Sequence, residues 1–266
     1  MLAWLKARSR WQWVAIAGFA AVVAWMALHP EMRADHGDIV PGILPQVQKS
    51  GFAPAHSVRS MRYELTRTVM GERSEMVRRI DILPPESGVS ERRSRTYQRQ
   101  NETSAVEQSL GLTVGPIDLV GYSRFNVPFI SDLLPYHIWG KRQLVRFDAT
   151  VTNEFPHSAG GSLRAAITYR GNDASGEPQG DYAGTLDCDV GEVLEAAQVY
   201  AGLTGSAARV TCTEKISGGT RSISTIRRGW FVFTRNLWVA ESRSEMLGSG
   251  EFALSIEEKF RLKELR

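Results

Sequence analysis

The sequence predicts a mainly β protein. A single N-terminal transmembrane helix precedes an antiparallel β-meander, either a half-barrel or a sandwich, with one short helix. Three observations carry this. From about residue 58 apolar side chains recur with a period of two. Short turn signals separate the alternating runs. Ahead of them, Trp11–Leu28 is an 18-residue run with Gln12 as its strongly polar side chain. The expected organisation is a cytoplasmic n-region and anchor over 1–28, a stalk over 29–57 and an extracytoplasmic domain over 58–266.

The anchor comes first. As a helix its apolar run is roughly 27 Å long, enough to cross a hydrocarbon core. Trp11, Trp13 and Trp25 lie near its ends, where indoles favour the membrane–water interface. Lys6, Arg8 and Arg10 precede it, and Glu31, Arg33, Asp35 and Asp38 follow it. The positive-inside rule places the N-terminus in the cytoplasm and the rest across the membrane. A cleaved signal peptide is the competing reading, but cleavage after Ala24 leaves Trp25-Met26 as the new N-terminus. Arginine outnumbers lysine 26 to 6, as in proteins of GC-rich bacteria. The expected location is therefore the bacterial inner membrane, single-pass, with the domain in the periplasm. The first partner expected is the lipid bilayer, through residues 11–28.

Residues 29–57 carry Pro30, Pro41, Pro45 and Pro54 with interspersed glycines and no lasting apolar period, which reads as a semi-extended stalk. Strands follow. Met61, Tyr63, Leu65 and Val69 share one parity, interrupted by Arg67. After Gly71-Glu72 a return strand covers 73–83. Residues 86–108 are polar and arginine-rich and allow strand, helix or loop. Val145, Phe147, Ala149 and Val151 alternate, as do Leu163, Ala165, Ile167 and Tyr169. Leu186, Cys188 and Val190 form another run, and Val210 and Cys212 another. Gly218-Gly219 and Arg235-Asn236 mark hairpins. In the last run Phe252, Leu254, Ile256, Phe260 and Leu262 share a parity on which Glu258 is out of place. The total is eight to ten strands. Gly191–Leu203 is the one helix candidate, with Val193, Leu194, Ala197 and Ala201 at helical spacing.

Charge and composition exclude several classes. The 266 residues have a formal charge of +3, and residues 1–28 hold three bases and no acid, so the remainder is formally neutral. A neutral body is no nucleic-acid binder, because that affinity comes from neutralising phosphates. No Walker loop, Rossmann fingerprint or H-E-x-x-H occurs. Gly121–Phe125 begins like a nucleophile elbow but lacks its second glycine. His29, Asp35, His36 and Asp38 could ligate a metal only if the stalk held them fixed. No catalytic residue, metal site or cofactor is expected.

Four features remain as candidate sites. Cys188 and Cys212 lie on apolar parities of two strands, so in an oxidising compartment a disulfide is expected. Asp181, Asp187, Asp189, Glu192 and Glu195 place five acids and no base in fifteen residues. Such carboxylates could serve glycoside hydrolysis or form a solvated face. Arg92, Arg93, Arg95 and Arg99, with Arg78 and Arg79 upstream, form a candidate patch for an anionic partner. Finally, Phe129, Ile130, Leu133, Leu134, Tyr136 and Trp139 make an apolar segment broken by Pro128 and Pro135. It is either a cover over the sheet or a binding patch. The functional expectation is a non-enzymatic binding or interaction module of the envelope, engaging an envelope protein or an amphipathic ligand. The alternative is an envelope-polymer hydrolase using the 181–195 carboxylates.

Overall fold

The computed structural model describes residues 36–55, 58–85, 88–126, 137–172, 178–218, 221–248 and 253–266. The alternating runs form twelve antiparallel strands: β1 (Ser60–Val69), β2 (Glu72–Ile82), β3 (Ser90–Gln98), β4 (Asn101–Val114), β5 (Ile117–Asn126), β6 (His137–Thr152), β7 (Ser162–Asn172), β8 (Pro178–Glu195), β9 (Ser206–Gly218), β10 (Arg221–Val232), β11 (Leu237–Leu247) and β12 (Leu254–Leu265). Each pairs with its neighbour in sequence, and β1 also pairs with β12 from Met61–Leu265 to Val69–Ile256. The sheet is thus a closed barrel, not the expected half-barrel or sandwich. Closure leaves no strand edge to attract another chain.

Alternation decides which side chains point inward. Met61, Tyr63 and Leu65 of β1 are buried, as are Leu163, Ala165, Ile167 and Tyr169 of β7 and Val210, Cys212 and Ile216 of β9. The opposite faces carry Arg62, Glu64, Arg93, Arg95, Asp148, Arg164 and Arg170. That outer surface suits water rather than lipid tails. A bulge between Leu144 and Arg146 shifts the parity of β6, so Leu144 is buried and Val145 is not. At Gly184 β8 and β9 approach so closely that a Cβ would lie 1.8 Å from the Lys215 carbonyl oxygen. Only glycine fits there.

Twelve strands replace the expected eight to ten, an open stretch is resolved, and two further expectations need correction. The undecided 86–108 stretch supplies β3 and the start of β4. The helix expected over Gly191–Leu203 shrinks to α2 (Ala196–Val199). β8 continues to Glu195 because Val193, Leu194 and Glu195 still pair with β9. Within the expected stalk, residues 36–55 pack on the barrel. A 3-10 turn, His36–Asp38, leads into α1 (Ile43–Gln48), where Ile43 and Val47 are buried. Pro45 sits in the first turn of α1, where its missing N–H costs nothing.

This segment lies against β5 and β6. Lys141 Nζ donates to Asp38 Oδ1 at 2.6 Å, Tyr122 donates its hydroxyl to the same carboxylate, and Gln143 donates to the Asp38 carbonyl. Beyond α1, Phe52 enters the barrel end formed by the starts of β7, β9 and β11. Its ring meets Phe155 at 5.1 Å and Phe231 at 5.3 Å, edge-on in both cases. That end is therefore plugged by aromatic side chains. Among the described residues no helix is long and apolar enough to cross a membrane. The proposed anchor, 11–28, lies outside the described residues.

Candidate functional site

The two residues that break the sequence alternation meet each other. Arg67 of β1 and Glu258 of β12 are direct cross-strand partners facing the interior. Arg67 Nε donates to Glu258 Oε1 at 2.9 Å, and Arg78 Nη2 of β2 donates to the same oxygen, also at 2.9 Å. Both guanidiniums also reach Glu107 of β4. Arg78 Nε donates to Thr96 Oγ1 at 2.9 Å. The cluster holds two cations and two anions and is neutral. Burial by itself would raise the Glu258 pKa, but Arg78 and Arg67 outweigh it and hold the carboxyl down to about 2. Arg67 is correspondingly raised: its own desolvation is overcome by Glu107 and Glu258.

A second cluster continues the layer around the barrel. Glu214 of β9 lies 3.0 Å from Arg227 Nη2 and 3.6 Å from Arg142 Nη1. Asp118 of β5 lies 3.6 Å from Arg142. The Arg142 guanidinium stacks 4.1 Å from the Tyr169 ring centre. Burial opposes ionisation of Glu214, yet the two arginines hold its carboxyl below the usual range. Arg243 of β11 pairs with Glu245 and acts on both Glu214 and Glu258, which links the clusters.

Chemically, Glu214 and Glu258 are held as charged partners of the interior arginines. A general acid or base works best with a pKa near the operating pH. Here Glu258 and Glu214 are driven down, and burial pushes Tyr63 up to about 12 and Tyr169 higher still. Among the described residues no group of three or more His, Cys, Asp or Glu could hold a metal.

The other candidates separate. The four arginines do not form one patch. Period two turns Arg92 inward and leaves Arg93 and Arg95 exposed, with Arg93 Nε 2.7 Å from Glu91. Arg99 lies in the β3–β4 turn, 3.8 Å from Glu64 and 3.9 Å from Glu75. It also borders a recess of about 720 Å³ with Arg62, Arg79, Arg266, Asp81 and Glu102. Glu102 accepts from both Arg62 and Arg79.

The 181–195 acids do not converge. Asp187 is half-buried and the other four are exposed, and four of the five are paired with arginines: Asp181 with Arg170, Asp187 and Asp189 with Arg164, and Glu192 with Arg209. Gly121–Phe125 lies within β5 and forms no strand-to-helix turn. Phe129, Ile130, Leu133, Leu134 and Tyr136 lie outside the described residues, in the connection from β5 to β6. Trp139 is in β6, opposite Arg124.

Cys188 and Cys212 are cross-strand partners in β8 and β9 and form a disulfide, with Cα atoms 4.0 Å apart. Cross-linking positions 24 residues apart restricts the unfolded chain by about 3 kcal/mol in the loop-closure account. Both side chains are also packed in the core. Serine at either position should therefore cost about 2–4 kcal/mol in urea unfolding. Unchanged stability in both serine variants would refute a stabilising bond.

Sequence reading missed Glu107, Asp118, Arg142, Glu214 and Arg227 as interior residues. A signal existed for Glu214, which follows Val210 and Cys212 on the buried parity of β9. No family model, curated protein or solved structure matches the chain.

Proposed function

We propose that this chain is a non-enzymatic binding module of the bacterial cell envelope, held on the inner membrane by residues 11–28 and presenting its barrel to the periplasm. One contrast carries the reading. The interior Glu214 and Glu258 are locked into ion pairs that hold their carboxyls below the usual range, while the outer surface offers a recess rimmed by Arg62, Arg79, Arg99 and Arg266. Its size is that of a ligand-accepting cleft, and its rim interleaves these guanidiniums with the Asp81, Glu102 and Glu264 carboxylates, a pattern that suits a partner surface carrying charges of both signs. The disulfide supports an oxidising compartment. The hydrolase alternative draws no support from the 181–195 acids, which are dispersed in surface ion pairs.

A photo-crosslinking side chain at Gln100, on the rim of the recess, tests this in cells carrying the full chain. The expected result is one discrete protein adduct that disappears with Arg99→Glu. Adducts with lipid alone would assign the recess to an amphipathic ligand, and no adduct at all would remove the binding role. Placement has its own measurement: an alkaline phosphatase fused after residue 266 should be active. An inactive fusion at normal expression would put the barrel in the cytoplasm.

A further inference from the structure

The barrel interior is unevenly filled. Twelve strands enclose more room than a barrel of about eight, which side chains just fill. Aromatic rings occupy the end that Phe52 enters. At the charged layer the filling stops. Gly121 pairs with Arg142, so its Cβ direction is inward, and a Cβ there would meet no atom within 4 Å. Arg142, Asp118 and Arg243 also face inward, yet their side chains keep 31%, 36% and 37% of their surface exposed. Inward side chains with that exposure border water rather than packed core. The charged layer is thus the floor of a water-filled lumen.

Two features of this lumen point to a ligand. First, Arg142 has unused donors. The nearest oxygens of Glu214 and Asp118 lie 3.6 Å from it, beyond hydrogen-bonding reach, and no hydrogen bond joins it to the described residues. Arg243 Nε is buried without a partner. Arg142, Arg227 and Arg243 all act on Glu214, so these guanidiniums converge. Second, the wall beyond them, away from the aromatic plug, is apolar. Val69 pairs with Ile256, and Leu247 pairs with both Leu254 and Ile223. Period two turns this stripe inward together with Arg67, Arg243 and Glu258, and all five apolar side chains are half-buried. An apolar wall ending on cations with free donors is the lining that takes an amphipathic anion.

We propose that the lumen binds one long-chain carboxylic acid, its carboxylate on Arg142 and its chain along Val69, Ile223, Leu247 and Ile256. Charge selects the head group. A carboxylate accepts two parallel N–H bonds from one guanidinium, and Arg142 has them to give. Asp118, 3.6 Å from the same guanidinium, repels a second negative charge and so disfavours a phosphate dianion. The chain is held by the apolar area it removes from water. The site is separate from the outer recess and stands or falls without it.

The test uses the full chain in lipid nanodiscs, with empty nanodiscs as the blank. The probe is palmitic acid carrying a diazirine on its chain. Ultraviolet light should label peptides that contain Ile223, Leu247 or Ile256, and excess decanoate should compete. Decanol and decyltrimethylammonium, which lack the negative charge, should compete at least about tenfold less well. Arg142→Gln should lower labelling by a similar factor, and Arg142→Lys, which keeps the charge, should restore part of it. Gly121→Leu adds a side chain where a Cβ meets nothing, so it should melt as the wild type does while filling the head-group space and lowering labelling. It therefore reads the site even if Arg142→Gln fails to fold. Labelling confined to the outer face or to residues 11–28, or labelling unchanged in both variants, would overturn the site. Decanol competing as well as decanoate would remove the role of the carboxylate and overturn it equally.

Discussion

Glu258→Ala should be among the most damaging single changes in this protein, at about 3–5 kcal/mol of folding stability, because it leaves buried guanidiniums without their counter-charge. Glu258 is 2% exposed and accepts from both Arg67 and Arg78. Removing it leaves two cations to share Glu107. The same carboxylate makes stability depend on pH. Its folded pKa is depressed from 4.5 to about 2. Its contribution is therefore complete above about pH 4.5 and is lost as pH falls towards 2, and the shift corresponds to roughly 3 kcal/mol. Urea unfolding of the wild type and of Glu258→Gln at pH 7 and pH 3 measures this. The difference between the two should shrink at the lower pH. A small difference at pH 7 would mean that Glu258 adds little to the fold, and an equal difference at both would mean that its folded pKa is not depressed.

Glu258 also shows what the sequence could reveal. Alternation assigns a face to each side chain, so a charge on the apolar parity marks an interior charge. Arg67 and Glu258 were visible in that way. Their pairing was not, since it depends on β1 meeting β12 across 191 residues. Closure of the barrel was hidden for the same reason: local pattern names faces and turns, not distant neighbours. The arginine cluster was misjudged although its parity was legible, because period two had already separated Arg92 from Arg93 and Arg95. At Val193–Glu195 helical spacing lost to tertiary pairing with β9. Prolines misled over 36–55. Pro45 lies in the first turn of a helix there, and the apolar Ile43, Val47 and Phe52, too sparse to set a period, nonetheless bury completely.

Phe52→Ala should cost about 3–5 kcal/mol, the range for deleting a buried aromatic ring and leaving its cavity. Phe52 is the ring that joins the 36–55 segment to the aromatic plug, with Phe155 and Phe231 on two sides. Gly115 shapes the socket: a Cβ there would lie 2.8 Å from the Phe52 Cβ. Phe52→Leu keeps most of the volume and should cost much less. Two measurements on the same variants separate global from local effects. Denaturant unfolding reports the barrel, and limited proteolysis reports the 36–55 segment. If the plug couples the two, Phe52→Ala should lower the unfolding midpoint and speed cleavage of the segment together. Faster cleavage with an unchanged midpoint would instead mean that the barrel end is stable without its plug, its closure resting on Phe155, Phe231 and the strand pairing alone.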